Sequence, residues 1–470
     1  MKKLWFMASL ALAGCNAPET ATLVVKADPG TEVLYWGAGK DEMHSFKMGV
    51  KDTTNAEGYM TYQVELTEPK TLAVNTMRQV SIAYLTPGSC DTLTVTKDTM
   101  MLSGSNWAYN QCLRAVDEYQ RYCDDILNMR IRHELDTVKT PDEMKQKYSV
   151  HYQKAADIIQ NSGLPAAFVK EQMTHLDYIS GSIVAYVTLY NAQDKTDEWK
   201  AAFKKVTDIP WNDDAMRSYR GVSKLADQLP QTKFFILENG NPDDVKEPFR
   251  FLFDRCKDWF EGKALERIWA AFIYSDILNQ RHTEAYIDLY EEFKRTYPDS
   301  PYLPALQPGM DETIRFHRAE LDETQYQLIP YDSTMTSISE ALKSLRGKVV
   351  YVDVWATWCG PCKEMFAHVP VFKEKAKDLD IAYLYLSIDR PDAEKAWRKA
   401  IPYYQLKGYH LLAGQELAQA VYRELGNEQG AIAIPRFLIV DKEGKIVVSN
   451  AASPDQPEKL IEQLKEVLAK

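Results

Sequence analysis

The sequence predicts a multidomain chain of three unlike parts: an N-terminal antiparallel β-domain, an α-helical middle region and a C-terminal α/β domain. Three observations carry this reading. Residues 22–102 are rich in Val, Thr, Tyr and Leu and are cut by the turn signals "DPG", "NAEG" and "TPGS", a strand-and-turn texture. From 106 to 320 Gly and Pro thin out and apolar residues recur at helical spacing. From 322 to 470 strand-like and helix-like stretches alternate, the pattern of an α/β domain. A chain of 470 residues, 45% apolar and 26% charged, has the length for two to four globular domains and is neither fibrous nor disordered in composition.

In the first part, "TLVVK", "EVLYW", "MTYQVEL", "TLAV" and "DTLTVT" read as short strands at sandwich-like spacing. In the second, Tyr286, Leu289, Tyr290, Phe293 and Tyr297 fall on one helix face and Pro298 ends that helix. Leu113, Val116, Tyr119, Cys123 and Ile126 make a similar stripe, the spacing of core packing. No 34-residue period supports a helical repeat array. In the third, "KVVYVDVW" (348–355) and "IAYLYLSI" (381–388) are apolar strands, and a helical stretch begins near Pro391. "RFLIV", "DKEG" and "KIVV" make a hairpin, and Leu460, Ile461, Leu464, Val467 and Leu468 mark a final amphipathic helix.

Net charge is −11, with no long run of Lys and Arg. Nucleic acid and anionic membrane surfaces are therefore not expected as the main target. The first fifteen residues, "MKKLWFMASLALAGC", set Lys2 and Lys3 before a short apolar run that ends on small residues, the layout of a secretory signal. The run is too short to span a bilayer. "LAGC" resembles a bacterial lipobox, which implies a signal peptide over 1–15, lipidation of Cys15 and a lipid anchor. Asn16, rather than Asp, follows the cysteine and points to the outer membrane of a cell envelope, with the protein facing the periplasm.

Of seven cysteines, Cys15 is assigned to lipid and Cys359 and Cys362 to a CxxC pair. Cys90, Cys112, Cys123 and Cys256 allow three pairings, among which sequence does not choose. If Cys112 and Cys123 share one helix, eleven residues part them by about 16 Å, beyond disulfide reach.

The chemistry centres on "WATWCGPCKEM", residues 355–365. "WCGPC" stands at a strand-to-helix junction. There Cys359 would cap a helix whose dipole favours its thiolate, with Cys362 one turn behind as the resolving thiol. Zinc is disfavoured because no second Cys or His pair lies nearby. A structural disulfide fits less well than a solvent-facing site, given Pro361 and Trp358. Trp355 reads as core, and His368 reads as surface or core on the dithiol helix rather than catalytic.

On "LRGKVVYVDVWATWCGPCKE", the "LSID" strand end, "AIPRFLIVDKEGKIV" and the closing helix, residues 322–470 resemble the TlpA/ResA-like thiol-disulfide oxidoreductases of thioredoxin fold. The resemblance implies that Cys359 attacks, Cys362 resolves and Pro435, as a cis-proline, faces the pair. Asp353 takes the place of the buried acid that moves the proton of the second cysteine. Trp358, Gly360, Pro361 and Ile434 then become the substrate-contact residues. The resemblance also implies a disulfide-bearing protein substrate, a membrane-embedded electron donor and no cofactor. The chain departs from related patterns at Met365, Ala367 and Arg436. The β-region, with "LTPGSCDTLTV" and "LSGSNWAYNQ", resembles a module found ahead of thioredoxin domains in exported lipoproteins. The function expected is thiol-disulfide exchange, in the reductive direction, on protein disulfides in the cell envelope. The alternatives are an envelope binding or scaffold lipoprotein with an auxiliary redox pair, and a peroxidase using Cys359, for which no peroxide pocket is identifiable.

Overall fold

The computed structural model describes residues 18–37, 50–76, 79–127, 138–190, 196–212, 228–427 and 431–470. Cys15 and the expected signal segment lie outside them. No helix among the described residues is long and apolar enough to cross a membrane.

The chain separates into two compact units. One holds residues up to Phe272 together with Phe293–Tyr302, and the other holds Ile273–Glu292 and Leu303–Lys470. The second unit thus takes in two helical segments that precede residue 320.

In the first unit, strands β1 (Glu19–Lys26), β2 (Glu32–Gly37), β3 (Val50–Thr53), β4 (Tyr59–Leu66), β5 (Lys70–Thr76), β6 (Gln79–Leu85), β7 (Cys90–Val95) and β8 (Met100–Gly104) form two four-stranded sheets. Their orders are β4-β1-β7-β8 and β3-β2-β5-β6. Alternate residues of both sheets, among them Leu23, Val25, Val33, Leu72, Val74, Leu85 and Leu93, meet in one buried core, as expected of a sandwich. One pairing differs from an all-antiparallel domain: β1 runs parallel to β7. Helices Trp107–Leu127, Pro141–Gln160, Ala166–Tyr190 and Asp197–Val206 follow. Thr140 begins the second of these with a capping box closed by Glu143. Cys112 and Cys123 share the first helix, and neither they nor Cys90 or Cys256 form a disulfide.

The second unit is built on a six-stranded sheet in the order β14-β13-β10-β11-β12-β9. Its strands are β9 (Tyr326–Leu328), β10 (Val349–Trp355), β11 (Ile381–Ser387), β12 (Gly408–Leu412), β13 (Arg436–Val440) and β14 (Ile446–Val448). β10, β11, β12 and β9 are mutually parallel, and β13 and β14 close the other edge antiparallel. Every residue of β10 is buried because both faces of this central strand are covered, so its sequence is a near-continuous apolar run. One face meets Leu384, Leu386, Ile401 and Leu417. The other meets Phe372 and the closing helix Pro457–Leu468 through Leu460 and Leu464. This is a thioredoxin fold.

Two helical segments separate where one helix was expected. The helix Gly360–Phe366 ends at Ala367, and a second runs Val369–Lys375. Pro370 has no N–H to donate back into the preceding turn, so it starts a helix readily and does not continue one. His368 is therefore an exposed junction residue and does not lie on the dithiol helix.

Candidate active site: a disulfide at a strand-to-helix turn

The turn that carries the site is fixed from three sides. β10 ends at Trp355, and the Cys359 amide bonds the Ala356 carbonyl at 3.0 Å to close the loop. The Ile388 amide bonds the Trp355 carbonyl at 3.0 Å, tying the end of β11 to the end of β10. The third hold comes from Asp389, a buried carboxylate that accepts the Thr357 amide at 2.8 Å, the Thr357 hydroxyl at 2.7 Å and the Ser387 hydroxyl at 2.7 Å. Asp389 thus sets the backbone two residues before the first cysteine. It is a positioning residue that sequence reasoning missed. The quoted "LSID" strand end held its signal: a short acid just past a parallel strand's carboxyl end, where sites in α/β sheets form.

Cys359 is the N-cap of helix Gly360–Phe366, with Pro361 in its first turn. Cys359 and Cys362 form a disulfide with their Cα atoms 5.3 Å apart. The Cys359 sulfur accepts the Cys362 amide at 3.1 Å, so the helix N-terminus presents a donor to the position where a thiolate's charge would sit. Cys362 is fully buried, and Cys359 retains 4% exposure. Beside them Trp358 is 64% exposed. Gly360 and Pro361 are exposed, and space above Gly360 is open enough for a Cβ to meet nothing within 4 Å. The outer sulfur is thus approachable across the Trp358, Gly360 and Pro361 side and the inner one is not.

Across the turn, the Ile434–Pro435 peptide is cis and the Ile434 carbonyl oxygen lies 3.8 Å from the Cys359 sulfur. Arg436, next in sequence, opens β13 and donates to the Asn450 side chain at 3.0 Å.

Asp353 lies beneath the dithiol helix. Its neighbours along one face of β10 are Tyr351, whose ring packs 5.4 Å from Phe372, and Trp355, whose ring packs 5.2 Å from Phe366. Phe366 and Phe372 belong to the two helical segments after Cys359. Asp353, between Tyr351 and Trp355 in a period-two strand, shares the face those segments cover. Its carboxyl is buried, Oδ1 has no protein hydrogen-bond partner, and burial raises its pKa to about 8. A cavity of about 10 Å³ lined by Asp353, Tyr351, Phe372, Tyr383 and Tyr385 adjoins it, near the minimum for one water. An acid poised near neutrality, on the strand that runs into the dithiol turn, is chemically suited to exchange a proton with a thiol.

The structure therefore brings together Cys359, Cys362, Ile434, Pro435, Trp358, Gly360 and Pro361 at one turn, with Asp353 on the strand below.

A buried acid under a helix-capping CxxC in a thioredoxin fold defines a class, the thioredoxin-fold thiol-disulfide oxidoreductases. Residues 331–468 match the Redoxin family. The chain is 27% identical over 130 residues to the thiol-disulfide oxidoreductase ResA of Bacillus thuringiensis, which covers 27% of this chain and 67% of that protein. It is 34% identical over 62 residues to a thioredoxin of Coprinus comatus, covering 13% of this chain and 58% of the thioredoxin. A solution structure from Bacteroides vulgatus, described as a thiol-disulfide oxidoreductase, is 35% identical and covers 27% of this chain and 78% of its own, with a TM-score of 0.23. The C-terminal part of the chain is a Redoxin domain that is TlpA/ResA-like, and the chain is an enzyme of the thiol-disulfide oxidoreductase kind.

Proposed function

We propose that the chain is a reductase of protein disulfides in the cell envelope, held to a membrane by lipid on Cys15 and acting through Cys359 and Cys362. The observation that carries the reading is the asymmetry of the pair: one sulfur at an open rim and a helix N-terminus, the other buried one turn behind it. In the reduced state the Cys359 thiolate attacks one sulfur of a client disulfide. A Cys359–client disulfide forms, the client S–S bond breaks, and the first client thiolate leaves and takes a proton. In the ionised form of Asp353, the minor form at neutral pH, the carboxylate takes the Cys362 proton and Cys362 attacks the Cys359 sulfur. The mixed disulfide breaks, and the second client thiolate leaves and recovers that proton.

Two electrons and two protons have then passed to the client, and Cys359–Cys362 is oxidised. A dithiol donor, which a membrane-embedded protein would supply, must return two electrons before the next cycle. Trp358, Gly360, Pro361, Ile434 and Pro435 form the surface on which the client segment lies. No cofactor takes part.

Turnover of insulin disulfides by the full-length chain, with dithiothreitol as donor, tests the reading. Turnover that disappears in Cys359→Ser supports it. Equal rates in the two proteins would sink it.

A further inference from the structure

The turn at residues 279–283, which joins helices Gly262–Leu278 and Ala285–Thr296, belongs to the same compact unit as the dithiol. It carries two non-glycine residues in left-handed backbone, Gln280 at φ 47° and His282 at φ 51°. Such residues are costly, and they persist where surrounding contacts over-determine them. Here the contacts are specific. The Gln280 carbonyl accepts the Lys363 ammonium at 2.7 Å, and the His282 carbonyl accepts His317 Nε2 at 2.6 Å. The Thr283 amide bonds Asp276 Oδ2 at 3.1 Å, and Glu284 pairs with Lys395 at 2.5 Å. The His282 ring stacks on Phe316, centroids 4.6 Å apart, and meets Tyr403 edge-on at 5.3 Å.

Lys363 is the informative anchor. It follows Cys362 directly, and its amide bonds the Cys359 carbonyl at 3.3 Å, so it stands four residues on from Cys359, on the same side of the helix. Lysine is rarely buried, yet Lys363 is only 7% exposed because its ammonium runs beneath the turn to a backbone carbonyl. Asn279, Gln280 and Arg281 are exposed. A polar, cationic turn is thereby pinned to one flank of the dithiol helix, while the Trp358, Gly360 and Pro361 side stays open.

We propose that the Lys363-pinned turn is a client-selecting rim: it admits extended peptide segments bearing a disulfide and disfavours disulfides set in broad folded surfaces. The inference rests on the disulfide-exchange reading of the same site. A rigid wall on one flank costs an extended segment nothing. A folded surface must either displace the wall or lose its approach to Cys359.

The test is single-turnover exchange by the pre-reduced full-length chain with two probes, a glutathionylated linear peptide and native insulin. The readout is the ratio of their second-order rate constants, in which an effect on the dithiol's own reactivity cancels. Wild type should favour the peptide. Lys363→Met should lower that preference by about fivefold or more, and Lys363→Arg should restore it. Arg281→Ala, at an exposed position that leaves the anchor intact, should lower it in the same direction. Ratios unchanged in both Lys363→Met and Arg281→Ala would overturn the rim while leaving disulfide exchange standing. A wild-type chain that exchanges with neither probe would overturn both.

Discussion

Replacing Asp353 by Asn separates what this carboxyl does for stability from what it does for chemistry, and the two effects have opposite signs. In the fold its pKa is about 8, raised by burial alone, against about 3.9 in an unfolded chain. The folded state therefore holds the proton between these values while the unfolded state has lost it. Stability falls as pH rises from about 4 to about 8, and the penalty is complete above pH 8. At about 1.4 kcal/mol per unit, the penalty reaches about 4 kcal/mol at pH 7 and about 6 kcal/mol above pH 8.

Asn is nearly isosteric and cannot ionise. Asp353→Asn should thus gain stability over wild type by about 4 kcal/mol more at pH 7 than at pH 3.5, through removal of the wild-type slope. Over the same range, release of client from Cys359 should slow by about a hundredfold or more, because the proton acceptor for Cys362 is gone. Urea unfolding of both oxidised proteins at several pH values gives the first quantity. Quenched-flow decay of the mixed disulfide gives the second. Parallel stability curves for the two proteins would refute the claim that Asp353 is mostly protonated in the fold at pH 7, and unchanged decay of the mixed disulfide would refute its role as a base through the ionised minority.

Other outcomes follow from the same geometry. Cys362→Ser should accumulate a Cys359–client disulfide that mass spectrometry detects, since the resolving thiol is missing. Asp389→Ala leaves the Thr357 amide and two hydroxyls without their buried acceptor; it should cost about 3 kcal/mol in denaturant unfolding and slow attack by Cys359 even where the protein is fully folded. Burial, with Lys407 second, lowers the Lys373 pKa to about 8, so the folded state releases this proton first and wild-type stability rises between about pH 8 and pH 10. Lys373→Met should flatten that rise, as thermal melts across the range would show.

The parts of the site that were legible in the sequence are those where physical demands concentrate in one short run. β10 was readable because a central parallel strand is buried on both faces, and "KVVYVDVW" has no other use for such a run. The dithiol turn follows directly, since Pro361 fits a first helical turn and Cys359 fits the cap. Other parts depend on residues far apart in sequence. β9 is three residues long and β12 five, and each takes its identity from its pairing partner rather than from its own pattern. β3 and β8 carry little signal for a similar reason: "VKDT" and "MMLSG" lack clean alternation, whereas β6, "QVSIAYL", alternates yet is missing from the expected strands. Parallel pairing of β1 with β7 is set by residues almost seventy positions apart, which no local signal encodes. Asp389 and the 279–283 turn reveal their roles only through Thr357 and Lys363, partners about thirty and eighty residues away. The break before Val369 is signalled by Pro370, although the helical spacing alone continues through it.

The decisive measurement is the reduction potential of the Cys359 and Cys362 pair on a chain lacking residues 1–15, by equilibration with glutathione or dithiothreitol buffers and thiol trapping. A reductase that depends on a donor should show a single two-electron transition near or below about −250 mV. A value near about −120 mV would make the protein an oxidant, and a pair that never titrates would remove redox chemistry from the site.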